Sequence, residues 1–212
     1  MNELAISIST AAICVTIAYI IGSIPTAFII GKRKGIDIFK IGTRSAGTSN
    51  VFRNIGKFTG VIVMTVDILK GALAVAIPIY FHLGDSVVLG SAYGAIIGHW
   101  HSVFTKFRGG DGMASMIGII TMLVPSIAII CMLLGTMFIL IFSRQHNRTS
   151  IGLFVCTISI LVLSRSGLYP ATITIGLSFL SLSIIIHASY KKTKIQKSLS
   201  LDPITEPITL KS

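Results

Sequence analysis

Charge is what this chain lacks. Of its 212 residues only 12% are charged, 52% are hydrophobic, and the mean hydropathy is +0.86. A soluble domain carries about twice that share of charge. The apolar residues also fall in runs of membrane-spanning length, about 20 residues for a helix. Acidic side chains are scarcest, seven Asp and Glu against eighteen Lys and Arg, for a net charge of +11. Aromatics are few, at 8%. No nucleic-acid motif accompanies the basic residues, so nucleic acid is not indicated as a partner. The positive charge sits in loops and the C-terminal tail, as on the cytoplasmic side of membrane proteins.

Cysteine is scarce too. Cys14, Cys131 and Cys156 lie in apolar runs with no C-x-x-C pair, which argues against a disulfide framework or a cysteine zinc site. They read as small buried hydrophobes. The N-terminus has Asn2 and Glu3 and no basic n-region, so its apolar run reads as a retained span, not a cleaved signal.

What is present is one polar stretch between two apolar runs, Gly42-Thr43-Arg44-Ser45-Ala46-Gly47-Thr48-Ser49-Asn50-Val51-Phe52-Arg53. Glycines let a backbone approach an anion closely. Hydroxyls and Asn50 add neutral hydrogen bonds, and Arg44 and Arg53 add forked, permanently charged donors. At a membrane edge this reads as a pocket for a small phosphorylated molecule, or as a solvated basic loop facing anionic lipid.

The first span is predicted over 4–30, broken by Gly22-Ser23-Ile24-Pro25, since Pro25 lacks a backbone N–H. A basic segment follows, with seven Lys and Arg and one acid, Asp37, between Lys32 and Lys57. The second span, 58–81, carries Asp67 and Lys70. At i and i+3 they share a helical face and either staple two helices or set Lys70 beside an anionic substrate. The third span, 87–103, ends in His99-Trp100-His101. The two histidines point apart, so no metal pair is indicated, and Trp100 reads as an interface anchor. Gly109, Gly110 and Gly112 then open an apolar run, as in a backbone N–H cradle for phosphate. The run 113–142 is predicted to split near Pro125, because two short spans put Arg144 and Arg148 inside. Spans over 151–163 and 168–186 follow. The fold class is therefore an all-α integral membrane protein, a bundle of about seven transmembrane helices, N-terminus outside and C-terminus cytoplasmic. The membrane domain covers 1–190. Residues 191–212, with five lysines and then Asp202, Pro203, Glu206 and Pro207, read as a disordered cytoplasmic tail.

These motifs, in this order and spacing, resemble the bacterial acyl-phosphate:glycerol-3-phosphate acyltransferases, the PlsY family. The similarity covers Gly22-Ser23-Ile24-Pro25 with Gly31-Lys32, the polar stretch through Arg53 with Gly56-Lys57, Asp67-Ile68-Leu69-Lys70-Gly71-Ala72, Gly98-His99 and Lys106-Phe107-Arg108-Gly109-Gly110. The resemblance implies a multi-pass enzyme of the bacterial plasma membrane, the inner membrane where there are two. Its active site would lie on the cytoplasmic face, in phospholipid biosynthesis. It implies acyl transfer from acyl phosphate to the 1-hydroxyl of glycerol 3-phosphate, giving lysophosphatidic acid and phosphate, with no cofactor and no metal. It further implies that Thr43, Ser45, Ser49, Asn50 and Arg53 bind glycerol phosphate, with Lys70 alongside. Gly109, Gly110 and Gly112 would bind the acyl-phosphate head, and His187 would be a catalytic proton acceptor. The family pattern has serine for Thr43, Gly-Asn for Arg44-Ser45, lysine for Asp111 and asparagine for Tyr190. Asp111 reverses a charge, and is predicted to pair with Arg44 or Arg108. Two other classes stay open: a catalytically silent relative that binds a phosphorylated lipid precursor, and a small anion transporter with a broken first span.

The distribution of Lys and Arg makes a topological prediction. In a cysteine-free background, single cysteines near Arg53, Arg108 and Arg148 should resist an impermeant thiol reagent in intact cells. Cysteines within 82–86 should react. Labelling near Arg148 from outside would remove the seven-span arrangement.

Overall fold

The computed structural model describes residues 3–141, 148–165 and 167–201. Arg144 and the tail residues 202–212 lie outside the described residues. Nine α-helices and no strand occur among the described residues: α1 Glu3–Ser23, α2 Thr26–Arg33, α3 Thr48–Asn54, α4 Lys57–Tyr80, α5 Asp85–Trp100, α6 Met113–Leu123, α7 Pro125–Ile141, α8 Arg148–Ser164 and α9 Ala171–Leu201. A single 3-10 turn, Val103–Thr105, follows α5. The stretches Ser7–Arg33, Lys57–Tyr80 and Ala171–Lys197 are long and apolar enough to cross a membrane. Met113–Leu123, Pro125–Leu134 and Gly152–Val162 are shorter apolar helices.

Proline sets two of the breaks. α1 stops at Ser23, and Pro25 precedes α2. α6 stops at Leu123, and Pro125 opens α7, where its missing N–H costs no helical bond. The C-terminal composition misleads. Residues 191–201 continue α9, where charge density predicts a tail without structure from 191. The last apolar turns of α9 carry the helix onward, and Lys191 gains partners from other segments, described below.

Large apolar side chains face outward along the bundle, among them Ile8, Leu73, Leu133 and Phe179. Lipid is as apolar as these side chains, so hydrophobic contact does not draw such helices together. Close backbone approach and interhelical hydrogen bonds do. At α4 and α6 the approach is reciprocal. A Cβ on Gly71 would strike the carbonyl oxygen of Ser115, and one on Gly118 would strike that of Ile68. Ala18, Ala74 and Ala95 are buried together where α1, α4 and α5 meet. Thr157 and Ser181 share a hydrogen bond of 2.7 Å between α8 and α9.

A small apolar cluster positions the polar stretch. Ile38, Phe39 and Ala46 from the segment between α2 and α3 pack with Ala27, Val51 and Val63 of α2, α3 and α4. The segment is thereby laid over the helix ends, with its hydroxyls turned toward α6 and α9. The close packing of α4 on α6 generates a test. Gly118→Val should lower the thermal midpoint in detergent by several degrees, since overpacking costs about 1–3 kcal/mol. Gly84→Ala, at a glycine with nothing within 4 Å of a built Cβ, should leave the midpoint unchanged. A Gly118→Val protein as stable as the parent would show that the two helices tolerate separation.

Candidate active site

The polar stretch folds around Asn50, whose side chain is 1% exposed. Its amide nitrogen lies 2.9 Å from the Ile38 carbonyl oxygen, 3.0 Å from that of Ser45 and 3.1 Å from that of Ile41. Its amide oxygen accepts from the Thr43 N–H at 3.2 Å and from the Asn54 amide at 2.8 Å. One side chain thus satisfies both arms of the loop. Gly42, with φ +49°, permits the sharp turn that brings Thr43 back over Asn50.

The glycine turn packs against the end of α5. A Cβ on Gly109 would strike the carbonyl oxygen of His99, and one on Gly110 the His99 ring nitrogen Nε2. The Gly110 N–H donates to His99 O at 3.1 Å, and the Ala46 N–H donates to Gly109 O at 3.3 Å. The second bond joins the turn to the polar stretch. Gly112, in the left-handed region at φ +88°, caps the N-terminus of α6, so the positive end of that helix faces the same space. Trp100 corrects its reading as a membrane anchor. Its indole N–H donates to Asp111 O at 2.9 Å, and its ring stacks on His187 at 4.3 Å between centroids. It ties the glycine turn to α9.

Between these elements lies a cavity of about 420 Å³. Thr43, Ser45, Ser49, Asn50, Arg53 and Gly112 all line it. Met113 and Ala114 of α6, Ala188, Lys191 and Lys192 of α9, and Asp67, His99 and Asp111 are also part of its wall. A larger groove of about 650 Å³ runs along Pro25, Phe28, Ile29 and Phe104. It holds none of the hydroxyl or glycine motifs, so the smaller cavity is the candidate site. Gly109 and Gly110 stand behind its wall and offer carbonyls to Lys191.

Lys70 and His187 are absent from the lining. Lys70 is 5% exposed, pairs with Asp67 at 2.9 Å and donates to the Ile24 carbonyl at 3.0 Å. That carbonyl sits in the break between α1 and α2, so the pair staples α4 to the break, and Asp67 is the member that reaches the cavity. His187 lies between Trp100 and His101, edge-on to the latter at 5.9 Å. Asp111 pairs with neither Arg44 nor Arg108. Its partner is Lys191, at 3.4 Å, while the Arg108 guanidinium lies 4.1 Å over the Phe39 ring. Lys191 escapes sequence reasoning because its stretch reads as tail. The available signal is its spacing, four residues after His187, which puts both on one face if the helix continues. His99 is buried with no hydrogen-bond partner at Nδ1. The Gly98-His99 motif is part of the family resemblance, but the spacing of His99 and His101 gives it no role in the site, and the structure puts it on the wall.

Fold and site together define an integral membrane protein with a cavity lined by hydroxyls, basic side chains and the glycine-capped end of a helix. Residues 12–199 match the family described as glycerol-3-phosphate acyltransferase. A relative from Endomicrobium trichonymphae with that name is 35% identical over 188 residues, 87% of this chain and 92% of its own. One from Bacillus subtilis is 40% identical over 115 residues, 54% of this chain but only 59% of its own length. The crystal structure of PlsY, an integral membrane glycerol 3-phosphate acyltransferase in its glycerol 3-phosphate form, matches with a TM-score of 0.74 and 30% identity. That match covers 90% of this chain and 92% of the other. The chain belongs to the glycerol-3-phosphate acyltransferase family.

Asn50 yields the test of this geometry. Asn50→Ala leaves the Ile38 and Ser45 carbonyls without their donor, at about 1–3 kcal/mol for each buried group. The thermal midpoint should fall clearly, and acyl transfer should fall with it. A stable Asn50→Ala protein that has lost only activity would mean that the amide serves the ligand instead of the loop.

Proposed function

We propose that this chain transfers a fatty acyl group from acyl phosphate to the 1-hydroxyl of glycerol 3-phosphate, giving lysophosphatidic acid and phosphate for phospholipid synthesis. One observation carries the reading. The hydroxyl-rich stretch with Arg53 and the glycine-capped start of α6 line a single cavity, which supports a reading with two phosphate subsites side by side.

Acyl phosphate is already activated, and direct attack suits the residues present. The glycerol hydroxyl oxygen bonds to the acyl carbon, the bond from that carbon to the phosphate oxygen breaks, and phosphate leaves with the electron pair. Orientation supplies much of the acceleration, since well-placed reactants reach effective molarities of about 10⁵ M or more. Helix N–H groups and cations stabilise the departing phosphate. In this reading Thr43, Ser45, Ser49 and Arg53 hold the glycerol phosphate, and Asn50 holds the loop that presents them. Gly109, Gly110 and Gly112 shape the donor wall. The leaving phosphate takes the hydroxyl proton, and His187 acts as a positioning residue through Trp100. Lys70 acts likewise through Asp67.

The bundle is read as about seven crossings with the N-terminus outside and the site at the cytoplasmic face, supported by the Lys and Arg distribution. The reading as a silent binding protein rests on Asp111 and Tyr190, and the pairing of Asp111 with Lys191 removes the first of these motives.

Purified full-length protein with acyl phosphate and labelled glycerol 3-phosphate tests the reaction, and absence of labelled lysophosphatidic acid would overturn it. Arg53→Ala should raise the KM for glycerol 3-phosphate about tenfold or more, the equivalent of a lost charged hydrogen bond. It should change the KM for acyl phosphate far less. An equal loss for both substrates would make Arg53 structural.

A further inference from the structure

The ammonium of Lys191 sits where the two walls of the cavity meet. It donates to Gly109 O at 2.7 Å and to Ser45 Oγ at 2.8 Å. Gly110 O and Asp111 Oδ1 both lie at 3.4 Å. The side chain is 22% exposed. A lysine just past the apolar turns of a membrane helix ordinarily extends its head into water. Here it turns inward and gives up rotamer freedom, which needs a compensating interaction.

The pattern of distances separates two kinds of partner. The two short bonds go to neutral oxygens and fix the position of the nitrogen. The carboxylate is the distant partner, beyond the 2.7–2.9 Å usual for a charged hydrogen bond. A third donor of the ammonium therefore faces a loosely held anion, on the side of the cavity where α6 begins. Lys192 of α9 lines the same cavity, but the two short bonds at the junction of its walls are those of Lys191. Lys70 is locked between Asp67 and Ile24, and Arg53 belongs to the polar stretch.

We propose that Lys191 is the cation that binds the phosphate of the acyl donor, and that Asp111 is its exchangeable counter-ion, holding the ammonium between turnovers and yielding it to the incoming phosphate. This rests on the reading of the cavity as an acyltransferase site. The exchange replaces one anion by another while Ser45 and Gly109 keep the nitrogen in place. The ammonium and the N-terminus of α6 then flank the phosphate, and both oppose the charge that grows on it as the acyl bond breaks. Asp111 makes the donor site weaker than a free lysine would, since any phosphate must compete with it.

Kinetics of the full-length protein, with inorganic phosphate as competing ligand, test the assignment. Lys191→Gln should raise the KM for acyl phosphate and the Ki for inorganic phosphate about tenfold or more. The KM for glycerol 3-phosphate should stay within about twofold, the reverse of Arg53→Ala. Lys191→Arg should recover most of the loss. Asp111→Asn should move the other way, with tighter inhibition by phosphate. Unchanged constants in Lys191→Gln, or Asp111→Asn impaired as much as Lys191→Gln, would overturn the proposal and mark the pair as a structural clip between α9 and the glycine turn. If Lys191→Gln does not fold, the direction of the Asp111→Asn effect decides. Should the parent not transfer acyl groups at all, the acyltransferase reading fails. The rise in thermal midpoint on adding inorganic phosphate then decides on Lys191. A rise in the parent that Lys191→Gln loses supports the site, and no rise in the parent removes it.

Discussion

Lipid offers a backbone no hydrogen-bonding partner, and each unsatisfied carbonyl or N–H in the hydrocarbon costs several kcal/mol. Every break in this bundle must therefore be closed by the protein itself. Side chains do this in a consistent way. Lys70 donates to the Ile24 carbonyl at the break between α1 and α2, and Ser102 donates to Ser23 O beside it at 2.5 Å. Tyr19 donates to His101 O at 2.9 Å where α5 has ended. Asn50 holds the arms of the polar stretch, Trp100 holds Asp111 O, and Lys191 holds Gly109 O. The polar residues that the composition makes rare are spent on irregular backbone, and irregular backbone is where the cavity forms.

That accounting explains which features the sequence reveals. Pro25 and Pro125 mark real breaks because a missing N–H acts locally, while Pro78 is carried within the last turn of α4. Asp67 and Lys70 pair because a spacing of three places them on one helical face. The cavity side of the polar stretch is legible for the same local reason, since glycines and hydroxyls so dense between apolar runs have no role in lipid. What stays hidden is partner choice across the chain. The partner of Asp111 lies 80 positions later, on a helix that its own charge density disguises as tail. Arg108, adjacent in the glycine turn, has its guanidinium over Phe39 instead. Trp100 reads as an interface residue by composition, because the aromatic belt is a statistical habit and its stacking on His187 is a tertiary fact.

The placement of the cavity also weighs between classes of function. A transporter that alternates access needs a site near the midplane, between repeats that rock about it. Here the wall is built from the polar stretch with α3, the start of α6, the end of α5 and the basic part of α9 past its apolar turns, with Asp67 reaching in from α4. Apart from Asp67 and the α9 residues these are loop residues, the short helix α3 and helix ends, and they gather on one side of the break between α5 and α6. The buried ion pair of Asp67 and Lys70 lies farther along a helix, and it is occupied in closing the α1 to α2 break. A cation held by a carboxylate and a carbonyl is poorly suited to release and rebind a passing ion.

Such a site suits a reaction between partners of different solubility. The proposed donor has a chain that belongs in lipid and a phosphate that belongs in water, and the proposed acceptor is wholly water-soluble. Their reacting atoms meet only at the boundary. There the protein must offer cationic and N–H donors without burying unpaired charge, which costs more than pairing recovers. The cavity meets this by balance. Arg53 and Lys191 face it from the two walls, and Asp67 and Asp111 stand behind or beside them with Lys70 and Lys191 as partners. Both of these buried or half-buried lysines thus have a carboxylate within reach, and neither is left uncompensated at the membrane edge.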